Sequence, residues 1–117
     1  MRTPYEYMEF TELPPEAMSK TLICELITGT GKTVIAGSTV IAHLTAFVED
    51  SKHLFYTTES PKHGPYKWKA GRGDVIKGWD IGTIGMRSGG KRVLKIPSIE
   101  GYGPHGLSAF SIPGGAN

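Results

Sequence analysis

Cysteine is almost absent from this 117-residue chain, in which Cys24 is the single example. One cysteine excludes a disulfide within the chain, and we interpret Cys24 as a small buried strand residue. Long apolar runs are also missing, because no stretch approaches the roughly 18 residues that a membrane-spanning helix requires. The N-terminus has acidic residues and prolines where a signal peptide would be apolar. We therefore expect a cytoplasmic protein, with the nucleus as the alternative, and no membrane partner.

The chain also lacks a strong excess of charge of either sign. Its formal net charge is +2, with 21% charged and 38% hydrophobic residues, which excludes a disordered tail and does not by itself indicate nucleic-acid binding. Glycine is abundant instead, at 16 residues. This indicates many tight turns between short elements, as in small β-rich or α+β domains, and the length fits one domain.

The segment GTGKT, Gly29–Thr33, matches the last residues of a phosphate-binding loop. Such a loop requires an earlier glycine at position 26, where this chain has Leu26. The residues that follow are rich in β-branched side chains and predict a strand, whereas a phosphate loop opens a helix. We therefore interpret GTGKT as a turn between strands and do not predict nucleotide binding.

Several segments have the composition or alternation of β-strands. They are 20–28, 38–50, 53–58, 66–70 and 91–97. Alternation places Tyr66 and Trp68 on one face of their strand and the two neighbouring lysines on the other. Residues 74–86 predict one short helix with Asp74 as its N-cap. The pattern predicts an α+β fold, in which an antiparallel sheet of about five strands carries one short helix on its face.

The N-terminal residues differ in composition from the rest. Residues 1–19 are acidic and contain Pro4, Pro14 and Pro15. Because proline disrupts regular elements, we interpret 1–19 as an irregular extension and 20–117 as the domain.

The second half of the chain contains, in this order, the pieces GRGDVIKGWD, GMRSGGKRVLKIP, GYGPHG and IPGGA. In their order and spacing these pieces resemble the FKBP-type peptidyl-prolyl isomerases, the macrolide-binding immunophilins. The resemblance extends over residues 20–117 and is weaker between 44 and 64. It implies a half-wrapped antiparallel sheet around a short helix. It also implies an isomerase that needs no cofactor, rotates Xaa-Pro bonds in proline-containing protein segments and assists protein folding.

The resemblance further implies an apolar aromatic pocket between helix and sheet. Trp79 would form its floor, the N–H of Ile76 would anchor a carbonyl of the bound segment, and catalysis would depend on these two residues and Tyr102. The residues expected to line the pocket are Leu44, Phe55, Tyr66, Val75, Ile76, Trp79, Tyr102 and Ile112. Such a pocket needs no nucleophile or titrating base, and the widely spaced histidines lack the helical spacing of a metal site. From pattern alone, each ring also has an ordinary interpretation as core packing.

Three features depart from the family pattern. Leu44 stands where the family has a tyrosine at the pocket rim, and the segment LFYTT, 54–58, lacks the family's pocket carboxylate. We therefore expect weakened macrolide binding. The family continues past IPGGA with an apolar strand, and we expect this final strand to be missing here. Three alternatives stay open: the N-terminal extension replaces this strand, a second copy of the chain supplies it, or the sequence has been shortened.

Two other functions stay open at this point. One is a non-catalytic module that binds a proline-containing partner through the pocket or a sheet edge, or that acts as a chaperone. The other is nucleic-acid contact through Arg87, Lys91, Arg92 and Lys95. Basic residues that alternate along a strand are usually a solvated face, so we favour the isomerase and predict no nucleic-acid partner.

Overall fold

The fold was analysed in a computed structural model, which describes residues 8–58, 64–107, 112 and 114–117. The strands in these ranges are β1 (Thr11–Glu12), β2 (Leu22–Ile27), β3 (Thr39–Ala42), β4 (Thr45–Phe47), β5 (Leu54–Thr57), β6 (Tyr66–Lys69) and β7 (Lys91–Lys95). The described ranges contain one α-helix, α1 (Lys77–Gly82), and 3-10 turns at Pro15–Ala17, Ser98–Glu100 and Gly103–His105. No helix among these residues is long and apolar enough to cross a membrane.

Every strand pairing among the described residues is antiparallel. The strands form one three-stranded sheet in the order β1-β2-β7 and two two-stranded sheets, β3-β6 and β4-β5. The longest pairing joins β2 to β7, from Leu22 opposite Lys95 to Ile27 opposite Lys91, with an irregularity between Glu25 and Ile27. Antiparallel strands with one short helix confirm the predicted α+β class.

The segment 38–50 is two strands, and its prediction as a single strand was wrong. β3 pairs with β6, whereas β4 pairs with β5, so the chain changes partner at His43 and Leu44. Thr58 stabilises this break, because its Oγ1 accepts the Leu44 N–H at 2.9 Å and its N–H donates to the Leu44 carbonyl at 2.9 Å. A threonine side chain thus replaces the strand hydrogen bonds at this point.

The helix is shorter than the predicted 74–86, and Asp74 does not cap it. α1 begins after Ile76, which has φ −57° and ψ 150°, and no side chain in the described part of the chain caps this end. Asp74 instead accepts the Lys69 N–H at 3.0 Å and so belongs to the preceding turn. At the other end, Arg92 Nη1 donates to the Gly82 carbonyl at 2.9 Å and to the Ile84 carbonyl at 3.0 Å. β7 therefore holds the end of α1.

A buried carboxylate ties the turn after β6 to the helix. Asp80 accepts the Gly71 N–H at 2.7 Å and the Gly73 N–H at 3.1 Å. Both glycines have positive φ, 77° and 74°, which a residue with a side chain adopts only with strain. These bonds set the spacing between β6 and α1.

The GTGKT segment is a turn, and no helix follows it before β3. The N–H groups of Thr30 and Gly31 donate to the Ser88 carbonyl at 3.2 and 3.1 Å. Gly29 approaches the backbone of the segment around Ser88 so closely that a Cβ on Gly29 would lie 2.4 Å from the Arg87 carbonyl oxygen. The glycines therefore permit contact between backbones.

The N-terminal extension contributes a short edge strand to the sheet. In β1, Thr11 lies opposite Ile23 and Glu12 lies opposite Leu22. Lys95 Nζ lies 4.6 Å from the centre of the Phe10 ring, which holds the extension against β7. Residues 1–7 of the extension lie outside the described residues, as do residues 59–63. The division of the chain at residue 20 stays a prediction.

A polar junction is buried beside α1. Glu100 is 4% exposed, and its carboxylate accepts hydrogen bonds from the Ser19 hydroxyl, the Lys20 N–H and, at 2.8 Å, the hydroxyl of the fully buried Thr21. Burial raises the pKa of Glu100, but the hydrogen bonds together with the charge of Lys77 outweigh it and hold the pKa below the ordinary 4.5. The carboxylate is therefore ionised and stabilised in the folded protein.

We expect Gly78→Ala to destabilise the protein, because a Cβ there would lie 2.5 Å from Ile96 Cγ2 and 2.6 Å from Thr21 Oγ1. Overpacking of this kind costs about 1–3 kcal/mol, which exceeds the gain of about 1 kcal/mol from alanine in a helix. Urea unfolding measures the difference. Gly64→Ala is the control, since a Cβ there meets no atom of the described residues within 4 Å. Equal unfolding midpoints for the two variants would contradict the packing described.

Stability at low pH is expected to depend on Glu100. Its folded-state pKa is lowered, so its contribution is fully present above the ordinary 4.5 and is lost as pH falls through the folded value. Glu100→Gln should therefore flatten the loss of unfolding free energy between neutral and acidic pH. Glu16→Gln, at an exposed position, is the control. Parallel pH profiles for Glu100→Gln and the unaltered protein would refute this role.

Candidate functional site

The indole of Trp79 lies at the centre of a cluster of aromatic rings between α1 and β6. Its centroid is 5.1 Å from that of Tyr66 and 5.3 Å from that of Trp68. Tyr66 and Trp68 are themselves 6.1 Å apart, because alternate residues of a strand lie on the same face. The predicted alternation in β6 is confirmed, since the two lysines of this strand are exposed.

Burial differs across this cluster. Trp68 is 5% exposed and forms its inner part, and its indole N–H has no acceptor among the described residues. Trp79 and Tyr66 are only half-buried. The part of this cluster that solvent reaches therefore lies at Trp79 and Tyr66 rather than at Trp68.

A second group of rings continues the cluster towards β5 and the long loop. Phe55 meets Tyr102 edge to face at 6.2 Å, and Tyr56 meets Tyr66 in the same way at 6.0 Å. Burial raises the pKa of Tyr102 above 10.0, and its electrostatic interaction with Tyr66 raises it further. The Tyr102 phenol is therefore neutral at physiological pH and available as a hydrogen-bond donor.

The structure brings part of the predicted pocket into ring contacts, namely Phe55, Tyr66, Trp79 and Tyr102. Val75 and Ile76 are half-buried and directly precede α1, whereas Leu44 is half-buried at the break between β3 and β4. Ile112 is 6% exposed, and its backbone pairs with Leu107 through hydrogen bonds of 3.0 and 2.9 Å. Their roles in binding stay predictions.

The backbone at Ile76 is suited to receive a carbonyl. Its own carbonyl accepts the Asp80 N–H at 3.0 Å as the first bond of the helix. Its N–H donates to no residue in the described part of the chain. An N–H that lacks a partner three residues before Trp79 can donate to a bound peptide.

Sequence reasoning missed several residues that build the site. Trp68 was interpreted only as sheet packing, although its alternation with Tyr66 already placed it on the same face. The anchoring carboxylates Asp80 and Glu100 carry no comparable pattern, because their partners are brought to them by the fold.

A cavity of about 450 Å³ lies apart from these rings. It is lined by Leu13, Pro14, Glu16, Ala17, Ile81 and Ile84. Residues two positions apart on a helix point in roughly opposite directions, so Ile81 faces away from Trp79. None of the residues predicted for the pocket lines this cavity, and it is not the candidate site.

Most of the basic residues considered for nucleic acid are engaged within the protein. Arg87 Nε donates to the Gly31 carbonyl at 3.1 Å, and Lys95 Nζ lies 3.3 Å from Glu49 Oε1. Arg92 holds the end of α1 and is 7% exposed at its side chain. Of the four, only Lys91 has no such contact with the described residues, which weakens the nucleic-acid alternative.

An antiparallel sheet with one short helix and an aromatic cluster at their junction defines the FKBP fold. The crystal structure of AtFKBP13 matches with a TM-score of 0.76 at 30% identity, covering 92% of this chain and 90% of that one. The N-terminal domain of FKBP42 from Arabidopsis thaliana matches with a TM-score of 0.79 over 92% of this chain and 83% of that one. At 24% identity, the second likeness concerns the fold alone.

Sequence comparison assigns the family. The FKBP-type peptidyl-prolyl cis-trans isomerase profile matches residues 31–117. The FK506-binding protein of Neisseria meningitidis serogroup C is 39% identical over 96 residues, which cover 82% of this chain and 86% of that protein. The chain belongs to the FKBP-type peptidyl-prolyl cis-trans isomerases.

Other relatives are longer than the matched region. Peptidyl-prolyl cis-trans isomerase FKBP2 of Homo sapiens is 42% identical over 80 residues, 68% of this chain and 54% of that protein. FK506-binding protein 4 of Gibberella zeae is 44% identical over 79 residues, 68% of this chain but only 15% of its own length. The family is therefore shared with proteins of different overall size.

We expect Tyr102 to lose its proton above pH 10.0, because burial and then Tyr66 disfavour the phenolate. A raised folded-state pKa means that the contribution of Tyr102 to stability is present below pH 10.0 and is lost as pH rises through the folded value. NMR of carbon-13-labelled tyrosine, assigned with Tyr102→Phe, follows this titration. Tyr66→Phe should bring the pKa of Tyr102 closer to 10.0 but leave it above that value, because burial remains. Titration at or below 10.0 would show that the ring is not buried as described.

Proposed function

We propose that the protein is a peptidyl-prolyl cis-trans isomerase that rotates Xaa-Pro bonds in the aromatic cluster at Trp79. The family to which the chain belongs supports this activity. The observation that carries the proposal is the indole of Trp79, which packs against Tyr66 and Trp68 and yet remains half-buried. A proline ring can reach such a surface from solvent.

The chemistry requires removal of water more than it requires a reactive group. Amide resonance makes rotation about an Xaa-Pro bond slow, with a barrier of about 20 kcal/mol. Resonance places negative charge on the carbonyl oxygen, and water stabilises that planar, charge-separated form. An apolar ring surface excludes the water and so favours the twisted form relative to the planar one.

Two groups beside the rings would hold the substrate. The N–H of Ile76, which has no acceptor within the described residues, would donate to a carbonyl of the bound segment. The neutral phenol of Tyr102, which packs against Phe55, would donate a second hydrogen bond. Both act by positioning, so no metal, cofactor or titrating base enters the step.

We propose proline-containing segments of other proteins as substrates and macrolides as weaker ligands. The segment LFYTT has no carboxylate, and Leu44 has no hydroxyl to present at the rim. A polar group of a macrolide that is left without a partner costs about 1–3 kcal/mol. We therefore expect macrolide binding weakened by about tenfold or more, since 1.4 kcal/mol corresponds to tenfold in affinity.

A second candidate is a non-catalytic module that binds proline-containing partners, or that acts as a chaperone. The same departures at Leu44 and LFYTT favour it, because they alter the pocket wall while leaving the rings of Tyr66 and Trp79 in contact. Binding without acceleration of cis-trans exchange would distinguish this candidate from the isomerase.

We expect Tyr66→Ala and Trp79→Ala to lower kcat/KM for a proline peptide by about tenfold or more. Each ring contact contributes about 0.5–1.5 kcal/mol, and 1.36 kcal/mol corresponds to tenfold in rate. A protease-coupled assay measures the rate, and NMR line shapes of the peptide measure binding and exchange together.

The control is Lys67→Ala, which removes an exposed side chain from the opposite face of the same strand. Loss of turnover in the two ring variants with an unchanged control supports the isomerase. A wild-type protein that binds the peptide without accelerating exchange supports the binding module. Equal activity in all variants would show that the rings do not form the site.

A further inference from the structure

We infer that Glu100 is a positioning residue, which fixes the loop that carries Tyr102 to the helix that carries Trp79. Its carboxylate holds the chain at Ser19, Lys20 and Thr21. The inference rests on the proposed function, because it explains how the two sides of the aromatic cluster keep their spacing. Glu100 and Thr21 are the buried residues of this junction, and none of its residues is part of the ring cluster.

One end of the connection is the loop. Glu100 is the last residue of the 3-10 turn Ser98–Glu100, and Gly101 alone separates it from Tyr102. The Glu100 N–H donates to the Pro97 carbonyl at 2.9 Å, so the backbone of this turn is closed. A carboxylate fixed at this point restricts where the following ring can lie, and Tyr102 meets Phe55 at 6.2 Å.

The other end is the helix. The hydroxyl of Thr21 donates to Glu100 Oε1 at 2.8 Å. The Thr21 Oγ1 atom also lies close to Gly78, since a Cβ on Gly78 would be 2.6 Å from it. Gly78 directly precedes Trp79, so Thr21 touches the helix backbone and the loop anchor at once.

The junction is stiff because its hydrogen bonds converge on one buried charge. Ser19 Oγ donates to Oε1 of Glu100 and accepts the Thr21 N–H at 3.1 Å, while the Lys20 N–H donates to Oε2. Charge-assisted bonds of this kind are stronger than bonds between neutral groups. Loss of one partner leaves a buried carboxylate incompletely satisfied, which favours movement of the loop.

A matched pair of variants at Thr21 separates the hydrogen bond from the packing. Thr21→Val keeps the shape and removes the hydroxyl, whereas Thr21→Ser keeps the hydroxyl and removes a methyl group. Glu100→Gln tests the charge directly. Val48→Ala, at a buried residue that follows β4, is the control for a general loss of stability. All are compared at a temperature at which each variant is fully folded.

Two readouts are used. The first is kcat/KM for the proline peptide, and the second is the set of nuclear Overhauser effects between the rings of Tyr102 and Phe55, which reports the loop without any reaction. We expect Thr21→Val and Glu100→Gln to lower kcat/KM by about tenfold, since misplacement by about 1 Å costs up to about 100-fold, and to weaken the ring-to-ring effects. Thr21→Ser should retain the kcat/KM and the ring-to-ring effects of the unaltered protein.

The outcomes separate the two proposals. Weakened Tyr102–Phe55 effects in Thr21→Val and Glu100→Gln, with Val48→Ala unchanged, support the positioning role even if no form of the protein accelerates exchange. Unchanged ring effects in both variants overturn it, whatever the activity. If Val48→Ala weakens the Tyr102–Phe55 effects as much as Thr21→Val and Glu100→Gln do, the positioning role is also overturned, because the weakening would then be a general response to lower stability.

Discussion

The close approach of α1 to the sheet is the constraint on which the rest of the structure depends. Gly78 and Gly82 lie one helical turn apart and are both buried, so one face of the helix has no side chains. A Cβ at Gly82 would lie 2.9 Å from Leu94 Cδ1, as one at Gly78 would collide with Ile96. With this face pressed on β7 and the residues after it, the indole of Trp79 projects sideways into the rings of β6. The aromatic cluster follows from where glycine is placed.

The spacing of the rings is maintained by charged side chains that do not contact a substrate. Asp80 holds the turn after β6 to the helix, Glu100 holds the long loop, and Arg92 holds the last turn of α1. Asp80 and Glu100 accept hydrogen bonds from backbone N–H groups or hydroxyls, and Arg92 donates to backbone carbonyls and pairs with Glu25. Such partners are the condition under which a buried charge is tolerated. A short helix and long loops can therefore present an apolar surface of defined shape.

Local patterns were sufficient for the parts of the fold that depend on local chemistry. The alternation in β6 correctly placed Tyr66 with Trp68, and glycine content correctly indicated short elements. The patterns failed where a distant residue competes for a backbone group. Thr58 divides the strand at Leu44, and the partners of Glu100 lie as much as 81 residues away. The two ring contacts, Phe55 with Tyr102 and Tyr66 with Trp79, join residues that were selected through resemblance to a family, because an indole on a helix looks the same in any core.

The hold of Arg92 on the end of α1 has a consequence for motion. A helix of six residues is not stable by itself in water. Because Arg92 of β7 binds the carbonyl of Gly82, the last residue of α1, fraying at this end of the helix breaks a contact with β7. Its amide protons should then exchange with solvent only through openings that also separate β7 from β2, so helix and sheet behave as a single cooperative unit.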